Sequence, residues 1–301
     1  MGYAGLAPTA DQAQAQTLAA DAPSPEDVDV AEGKTVFDQT CATCHGLDGS
    51  GSEVGPDLRD VGPAAIDFQV STGRMPSMNP DAQMPRKPMV MTEQELANLI
   101  AYYNESIRSG TNGADVPYDV PGGAPGYDDF KPLRSDFAEG EAGSEEYEAA
   151  LEEAEAEYRT ALEEYQDEYD EYIAGADNTD MGMRLYLTNC AHCHGWSGGG
   201  GALTDGRWAP EIHESTPREI YEAMVSGPGA MPMFSDGAID PEEKQELISY
   251  VKTLQAEPNA GGIFDLDRVG QVAEGLIGWV VGLALIVACA IWITAKQRAH
   301  D

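Results

Sequence analysis

Basic residues are scarce in this sequence. Its 301 residues include 17 Lys and Arg against 53 Asp and Glu, which gives a formal net charge of −36 at pH 7. A chain this acidic repels nucleic-acid phosphates, so nonspecific nucleic-acid binding is excluded. The charge favours a partner with a basic surface, or no charged partner at all.

Cysteine is rare, and so are long apolar runs. The chain has five cysteines; four lie in two short motifs and the fifth, Cys289, lies in the one long apolar segment near the C-terminus. No cysteine is left over for a structural disulfide. The N-terminus has neither the basic start nor the apolar run of an export signal. We interpret residues 1–29 as a disordered stub that follows a removed or missing signal.

The two cysteine motifs share one pattern, Cys-x-x-Cys-His, written CATCH at 41–45 and CAHCH at 190–194. Two thiols at this spacing can bond the vinyl groups of a haem, and the adjacent histidine can then bind its iron. A zinc knuckle would need a second Cys/His pair nearby, and a thioredoxin-like redox pair would need a βαβ context, so neither fits well. The sequence therefore predicts two covalently bound haem c groups, attached through Cys41, Cys44, Cys190 and Cys193, with His45 and His194 as iron ligands.

The residues before each motif also repeat. Gly33 and Phe37 stand eight and four residues before the first motif, and Gly182 and Tyr186 hold the same places before the second. A glycine on a helix face lets another helix cross closely, while the aromatic ring one turn later packs beside the haem. The chain therefore contains an internal repeat of two similar domains.

Each haem that carries electrons needs a sixth iron ligand, and a methionine thioether is the usual one in c-type cytochromes. Met231 precedes a proline in a glycine-rich loop, and Met75 precedes a proline in the corresponding loop of the first half. We predict these two as the distal ligands. For the first haem a neighbouring methionine remains an alternative, since Met78, Met84, Met89 and Met91 crowd the same loop. His213 is the alternative for the second haem, although we expect it and His300 at the surface.

Helix-start signals give the order of elements in each half. Thr92, Thr216 and Asp240 each precede a glutamate by three residues, as in a capping box. Each half is predicted to run helix, haem motif, loop, helix, methionine loop, helix, so the fold class is all-α. Domains this small have little core of their own, and a covalent haem supplies further apolar contact.

The two halves are separated by an unusual segment. A Gly/Pro-rich linker leads into a strongly acidic stretch, 144–172, where Arg159 is the only basic residue. Apolar and aromatic residues recur there at three- and four-residue steps, which predicts a helix with one narrow apolar seam. Two interpretations stay open: a solvated spacer whose seam rests on the protein, or a surface that docks a basic partner.

The long apolar segment, 275–295, is free of charge. At 1.5 Å per residue its length matches a bilayer core of about 30 Å, which predicts a transmembrane helix. Trp279 and Trp292 lie near its ends, and Lys296 and Arg298 follow it. The positive-inside rule then predicts a cytoplasmic C-terminus and haem domains outside the membrane.

The quoted motifs resemble a known family. The two domains are similar to class I cytochromes c. The stretches DQTCATCHG, VGPAAIDFQVSTGRMP, GALTDGRWAP and EIYEAMVSGPGAMPMFSD and the apolar tail resemble the dihaem cytochrome c subunit of the actinobacterial cytochrome bcc complex, a menaquinol–cytochrome c reductase. The similarity extends from about residue 30 to 300 and is interrupted by the acidic segment.

The resemblance implies the function. It implies a single-pass cell-membrane protein that takes electrons from a Rieske iron–sulfur subunit and passes them to the binuclear copper of a terminal cytochrome oxidase. A cytochrome b subunit is a further implied partner. The chain would be an electron-transfer subunit of a translocase, with no catalytic side chain of its own. An independent membrane-tethered carrier and, less consistent with two methionine loops, a dihaem peroxidase are the alternatives.

The predicted domains follow the chain in order. They are the stub 1–29, cytochrome c domain 1 at 30–108, the linker and acidic helix at 109–176, cytochrome c domain 2 at 177–256, a linker at 257–268, a transmembrane helix at 269–296 and a cytoplasmic tail at 297–301.

Overall fold

Helices make up nearly all the regular structure. A computed structural model describes residues 28–77, 79, 83–131, 145–257 and 272–298. The stub up to residue 27, Met78, most of the linker 257–268 and the last residues of the tail, with His300, lie outside the described residues. The helices are α1 (Val30–Thr40), α2 (Ala42–His45), α3 (Pro63–Ser71), α4 (Glu93–Tyr102), α5 (Tyr127–Phe130), α6 (Glu145–Ala174), α7 (Thr179–Asn189), α8 (Ala191–His194), α9 (Pro217–Ser226), α10 (Pro241–Ala256) and α11 (Val272–Arg298).

The predicted all-α class is confirmed, with one small addition. A two-residue strand, β1 (Gly201–Ala202), pairs antiparallel with β2 (Trp208–Ala209), and a 3₁₀ turn at Thr204–Gly206 lies between them. The chain forms two compact units. Of the described residues, those up to Asp177 and those of Ser215–Ile248 belong to one unit, and those of Asn178–Glu214 and from Ser249 onward belong to the other.

In the first unit, α1 crosses α4 at Gly33. A Cβ atom at Gly33 would lie 1.9 Å from the backbone oxygen of Asn98, so only glycine permits this approach. Phe37, one turn later, is buried with its ring centroid 5.6 Å from that of Tyr102. The predicted glycine crossing is therefore present in the first half of the repeat. The surrounding core is apolar and includes Val36, Val70, Leu96, Leu99, Ile100, Tyr103, Ile107 and Val116.

The predicted helix starts are confirmed by their hydrogen bonds. Thr92 and Thr216 each form a complete capping box, with Glu95 and Glu219 respectively. Asp240 accepts from the backbone N–H of Glu243, whose side chain accepts from the backbone N–H of Asp240 in return. These short-range bonds satisfy N–H groups that a helix start leaves without intrahelical partners.

The chain after α4 remains attached to the first domain. The helix continues as a π-helical turn, Tyr103–Ile107, and the Arg108 guanidinium then donates to the carbonyl oxygens of Asn112 and Gly113. Ala64 N–H donates to the Ala114 carbonyl at 3.1 Å. The start of the Gly/Pro-rich linker thus packs on the helices of the first domain rather than leaving it at once.

The acidic segment forms α6, a helix of 30 residues. Its predicted seam rests on the linker: the Tyr158 ring lies 5.5 Å from that of Tyr127 and 5.8 Å from that of Phe130, and the Tyr165 hydroxyl donates to the Gly122 carbonyl. The Gln245 side-chain amide donates to the Tyr172 carbonyl in the last turn. These contacts support the interpretation of a spacer whose seam lies on the protein.

The apolar segment near the C-terminus forms most of α11. Within the described residues, Gly275–Lys296 is the one helical segment long and apolar enough to cross a membrane, with a mean hydropathy of 2.6 over its most apolar window. Its large apolar side chains are exposed, including Trp279 and Trp292. Such a surface needs an apolar environment, which a bilayer provides.

Candidate haem-binding sites

The first Cys-x-x-Cys-His motif lies where α1 gives way to α2. Cys41 N–H donates to the Phe37 carbonyl, and His45 N–H donates to the Cys41 carbonyl at 3.0 Å. His45 is buried, and its Nδ1 lies 2.8 Å from the Pro56 carbonyl oxygen. Because a carbonyl can only accept, Nδ1 carries the ring proton, and the lone pair of Nε2 is free for a metal.

The second motif repeats this arrangement between α7 and α8. Cys190 N–H donates to the Tyr186 carbonyl, and His194 Nδ1 donates to the Pro210 carbonyl at 2.9 Å. Burial lowers the pKa of His194, which keeps the imidazole neutral at physiological pH. Two histidines held in the same tautomer by a proline carbonyl fit the proximal-ligand position of a haem iron.

Each proline that orients a motif histidine follows a glycine-rich loop. The histidine carbonyl accepts from the backbone N–H of the glycine six residues later, Gly51 in the first motif and Gly200 in the second. These turns bring Pro56 and Pro210 back to the ring. Neither proline was among the residues predicted from the sequence. Their signal there is that both loops contain a proline after several glycines.

The motif thiols suit thioether attachment better than thiolate chemistry. Burial raises the pKa of the Cys41 thiol, and it raises the pKa of Cys190 to about 12. A catalytic or redox-active cysteine usually has a lowered pKa, since the thiolate is the nucleophile. Within the described ranges, no three His, Cys, Asp or Glu side chains gather as a zinc site would require.

Met75 lies against the core of the first domain. Its N–H donates to the Gln69 carbonyl at 2.8 Å, and its side chain packs on the same apolar cluster as Cys41. Met89 and Met91 also pack there, whereas Met84 is half-buried outside that cluster. Met75, Met89 and Met91 thus share the same apolar surroundings, and the choice of ligand among the methionines of this loop stays a prediction.

Met231 lies in a loop that folds back on the end of α9. Gly227 ends the helix in the left-handed conformation, with φ of 60°. Met231 N–H donates to the Pro228 carbonyl at 3.1 Å, and Phe234 N–H donates to the Met224 carbonyl at 2.7 Å. The half-buried methionine is thus held by backbone bonds on both sides of it.

His213 does not lie at the surface, so that prediction was wrong. Its side chain is 14% exposed, and its Nε2 donates to the Ser197 carbonyl at 2.8 Å. Its Nδ1 is 3.8 Å from a carboxylate oxygen of Glu211. Because a carbonyl can only accept, Nε2 carries the proton of this ring. His192, inside the second motif, is exposed.

Known proteins share this repeat. A family model described as "Cytochrome c" matches residues 30–105, and one described as "Cytochrome C oxidase, cbb3-type, subunit III" matches residues 177–251. The chain is 32% identical to the cytochrome bc1 complex cytochrome c subunit of Corynebacterium diphtheriae, over 89% of this chain and 81% of that protein. The chain belongs to this family of cytochrome c subunits.

Further relatives carry the same name. The subunit of Corynebacterium efficiens is 33% identical to this chain, over 89% of this chain and 77% of that protein. The subunit of Mycobacterium leprae is 32% identical, over 88% of this chain and 74% of that protein. The protein is therefore a cytochrome c subunit of a bc1-type oxidoreductase and acts in electron transfer. Its two cytochrome c domains indicate covalently bound haem c, and two attachment motifs are consistent with two haems. The apolar α11 is suited to anchor it in a membrane.

Proposed function

We propose that this cytochrome c subunit carries electrons from a Rieske iron–sulfur protein to the copper centre of a terminal cytochrome oxidase. The observation that carries the proposal is the similarity to bc1-complex cytochrome c subunits along nearly the whole chain. The match of residues 177–251 to an oxidase-subunit model supports an oxidase as the acceptor for the second domain. A menaquinol-oxidising complex with a cytochrome b subunit would supply the electrons.

The motifs and the geometry of their histidines support a proposed set of haem ligands. Cys41 and Cys44 would hold the first haem and Cys190 and Cys193 the second, as thioethers. His45 and His194 would bind the irons through Nε2, since their Nδ1 protons are committed to proline carbonyls. Met75 and Met231 would be the opposite ligands. Haem c bound in this way supplies one-electron transfer, and a methionine ligand raises its potential.

The charges beside α11 support a proposed membrane orientation. Lys296 lies over the ring of Trp292 at the C-terminal end of the apolar segment, at 5.3 Å. Basic residues at one end of a single span favour the cytoplasmic side for that end. The haem domains would then face outward, where a Rieske domain and an oxidase copper domain are accessible.

A visible difference spectrum tests the assembly. The full-length protein with a C-terminal tag is purified from its native membrane in mild detergent, and the reduced-minus-oxidised spectrum is recorded. We expect b-type and a-type haem bands beside the c-type band, because reductase and oxidase subunits would copurify. A c-type band alone, from a preparation shown to be undissociated, would instead identify an independent membrane-tethered carrier.

The exposed face of α6 can be tested as a docking surface for a basic partner. Deleting the helix would also uncover the aromatic residues that its seam covers. A better variant replaces the exposed Glu152, Glu153 and Glu157 by glutamine, which removes their charges and keeps the helix. We expect unchanged quinol oxidase turnover at every ionic strength, as for a solvated spacer. Lower turnover at low salt, converging with the wild type at high salt, would show instead that this face attracts a basic partner. Thr160→Ala, an uncharged change on the same helix, is the control.

A further inference from the structure

Two acidic side chains meet where α3 packs on α9. Asp67 on α3 is 7% exposed, and Glu222 on α9 is 1% exposed. Their carboxyl groups lie close enough to share a hydrogen bond. Because an ionised carboxylate has no proton to donate, such a bond forms only when one of the two groups is protonated. The other oxygen of Glu222, Oε1, is buried without a hydrogen-bond partner.

Several charged and titratable groups surround the pair. Arg218 and Glu219 approach from α9, and Tyr118 approaches from the linker. The positive charge of Arg218 acts on both carboxyl groups, but its Nε donates to the Val120 carbonyl and its guanidinium lies 5.8 Å from the centre of the Tyr118 ring. Glu219 is bound within its capping box and to Arg86. Arg218 and Glu219, the charged neighbours of the pair, therefore each bind other groups.

Burial decides the protonation state. It raises the pKa of Asp67 and raises the pKa of Glu222 well above its usual range, while Arg218 opposes both shifts. The Asp67 carboxylate raises the Glu222 pKa further, and the hydrogen bond lowers that of Asp67. The consistent assignment is a protonated Glu222 that donates to an ionised Asp67.

The two helices that carry this pair also lead into the two methionine loops. α3 ends at Ser71, shortly before Met75, and α9 ends at Ser226, shortly before Met231. The bond between Arg86 and Glu219 adds a second link between the first domain and α9, at 2.7 Å. We propose that Asp67 and Glu222 form a proton-binding site that locks α3 to α9 and thereby positions both methionine loops.

The proposed lock depends on pH in a defined direction. The folded protein keeps the Glu222 proton where an unfolded chain, with a pKa of about 4.3, would lose it. The contact is therefore most stable at acidic pH and weakens as the pH rises toward the raised pKa. Since one proton is involved, the equilibrium constant for opening increases by at most about tenfold per pH unit.

Amide hydrogen exchange on the haem-loaded, full-length protein in detergent tests this. After correction for intrinsic exchange, we expect the equilibrium constant for opening of α3 and α9 to increase by up to about tenfold per pH unit. The opening constant of α1 should not change with pH. Glu222→Gln should abolish the slope, because its amide still donates to Asp67 but does not titrate. Glu157→Gln on the exposed face of α6 is the matched control and should keep the slope. Equal slopes in wild type and Glu222→Gln would overturn the proposal.

Two spectra of the wild-type protein test the proposal even if a variant does not fold. The infrared spectrum of the wild type at neutral pH should contain a deuterium-sensitive carbonyl band of a protonated carboxyl group, and Asp67→Asn should shift it. A wild type without such a band would rule out the shared proton. The methionine-to-iron charge-transfer band should weaken with rising pH in the wild type and stay constant in Glu222→Gln. A band that is constant in both would rule out the positioning of the methionine loops.

Discussion

Gly33→Ala should unfold or severely weaken the first cytochrome c domain. The new Cβ atom would lie 1.9 Å from the Asn98 carbonyl oxygen and 3.0 Å from the Tyr102 Cβ. The obstruction is backbone, so no side-chain rotation relieves it, and α1 must separate from α4. We expect a loss of about 3 kcal/mol or more in the stability of this domain. Because α1 leads directly into the first haem motif, haem incorporation there should fall as well.

Thermal denaturation and haem quantification measure this effect. The haem content per chain should decline toward that of a protein with one haem, and the denaturation midpoint should fall. Gly237→Ala is the matched control, since its Cβ would have no neighbour nearer than 4.0 Å, and it should behave as the wild type. A Gly33→Ala protein with full haem content and an unchanged midpoint would contradict the helix crossing described for α1 and α4.

With the ligands proposed above, Met75→Leu should remove the sixth ligand of the first haem. Leucine fills nearly the same volume in the core but has no thioether to bind iron. We expect about half of the methionine-to-iron charge-transfer absorbance to disappear, because the second haem keeps its own ligand. The reduction potential of the first haem should also fall, since a methionine ligand raises it.

Met91→Leu and Met89→Leu are the controls for that experiment. Both side chains pack against the same apolar cluster as Met75, so each variant makes the same chemical change in the same core. Both should keep the full charge-transfer band and the wild-type potentials. If either one loses half of the band while Met75→Leu keeps it, that methionine is the ligand and the Met75 assignment is wrong.

The features predicted from sequence are those that depend on local spacing. The capping boxes at Thr92 and Thr216 join residues three apart, and the acidic helix follows from a three- and four-residue seam. The Gly33 crossing was predictable because the same glycine recurs before the second motif. The capping boxes and the acidic helix have their physical cause within one or two turns of chain, whereas the crossing was indicated by the repeat.

The remaining features depend on partners far apart in sequence. Nothing near Asp67 indicates that Glu222 will bury it, and nothing near His213 indicates that the Ser197 carbonyl will accept from its ring. Tertiary packing determines the burial of Asp67 and of His213, since a polar side chain is buried where a hydrogen-bond partner is available. The carbonyls of Pro56 and Pro210 were missed because the sequence does not show which backbone carbonyl a histidine ring will reach.

The seam of α6 has a consequence for proteolysis. Arg159 is the one basic residue in the helix, and it is exposed, so trypsin has a single cleavage site within these 30 residues. A protease needs an extended backbone, and an intact helix does not offer one. The rate of cutting at Arg159 therefore reports how often α6 unfolds around this residue, next to Tyr158 on the seam. A cut there would divide the chain between the two halves of its repeat and leave both haem motifs whole.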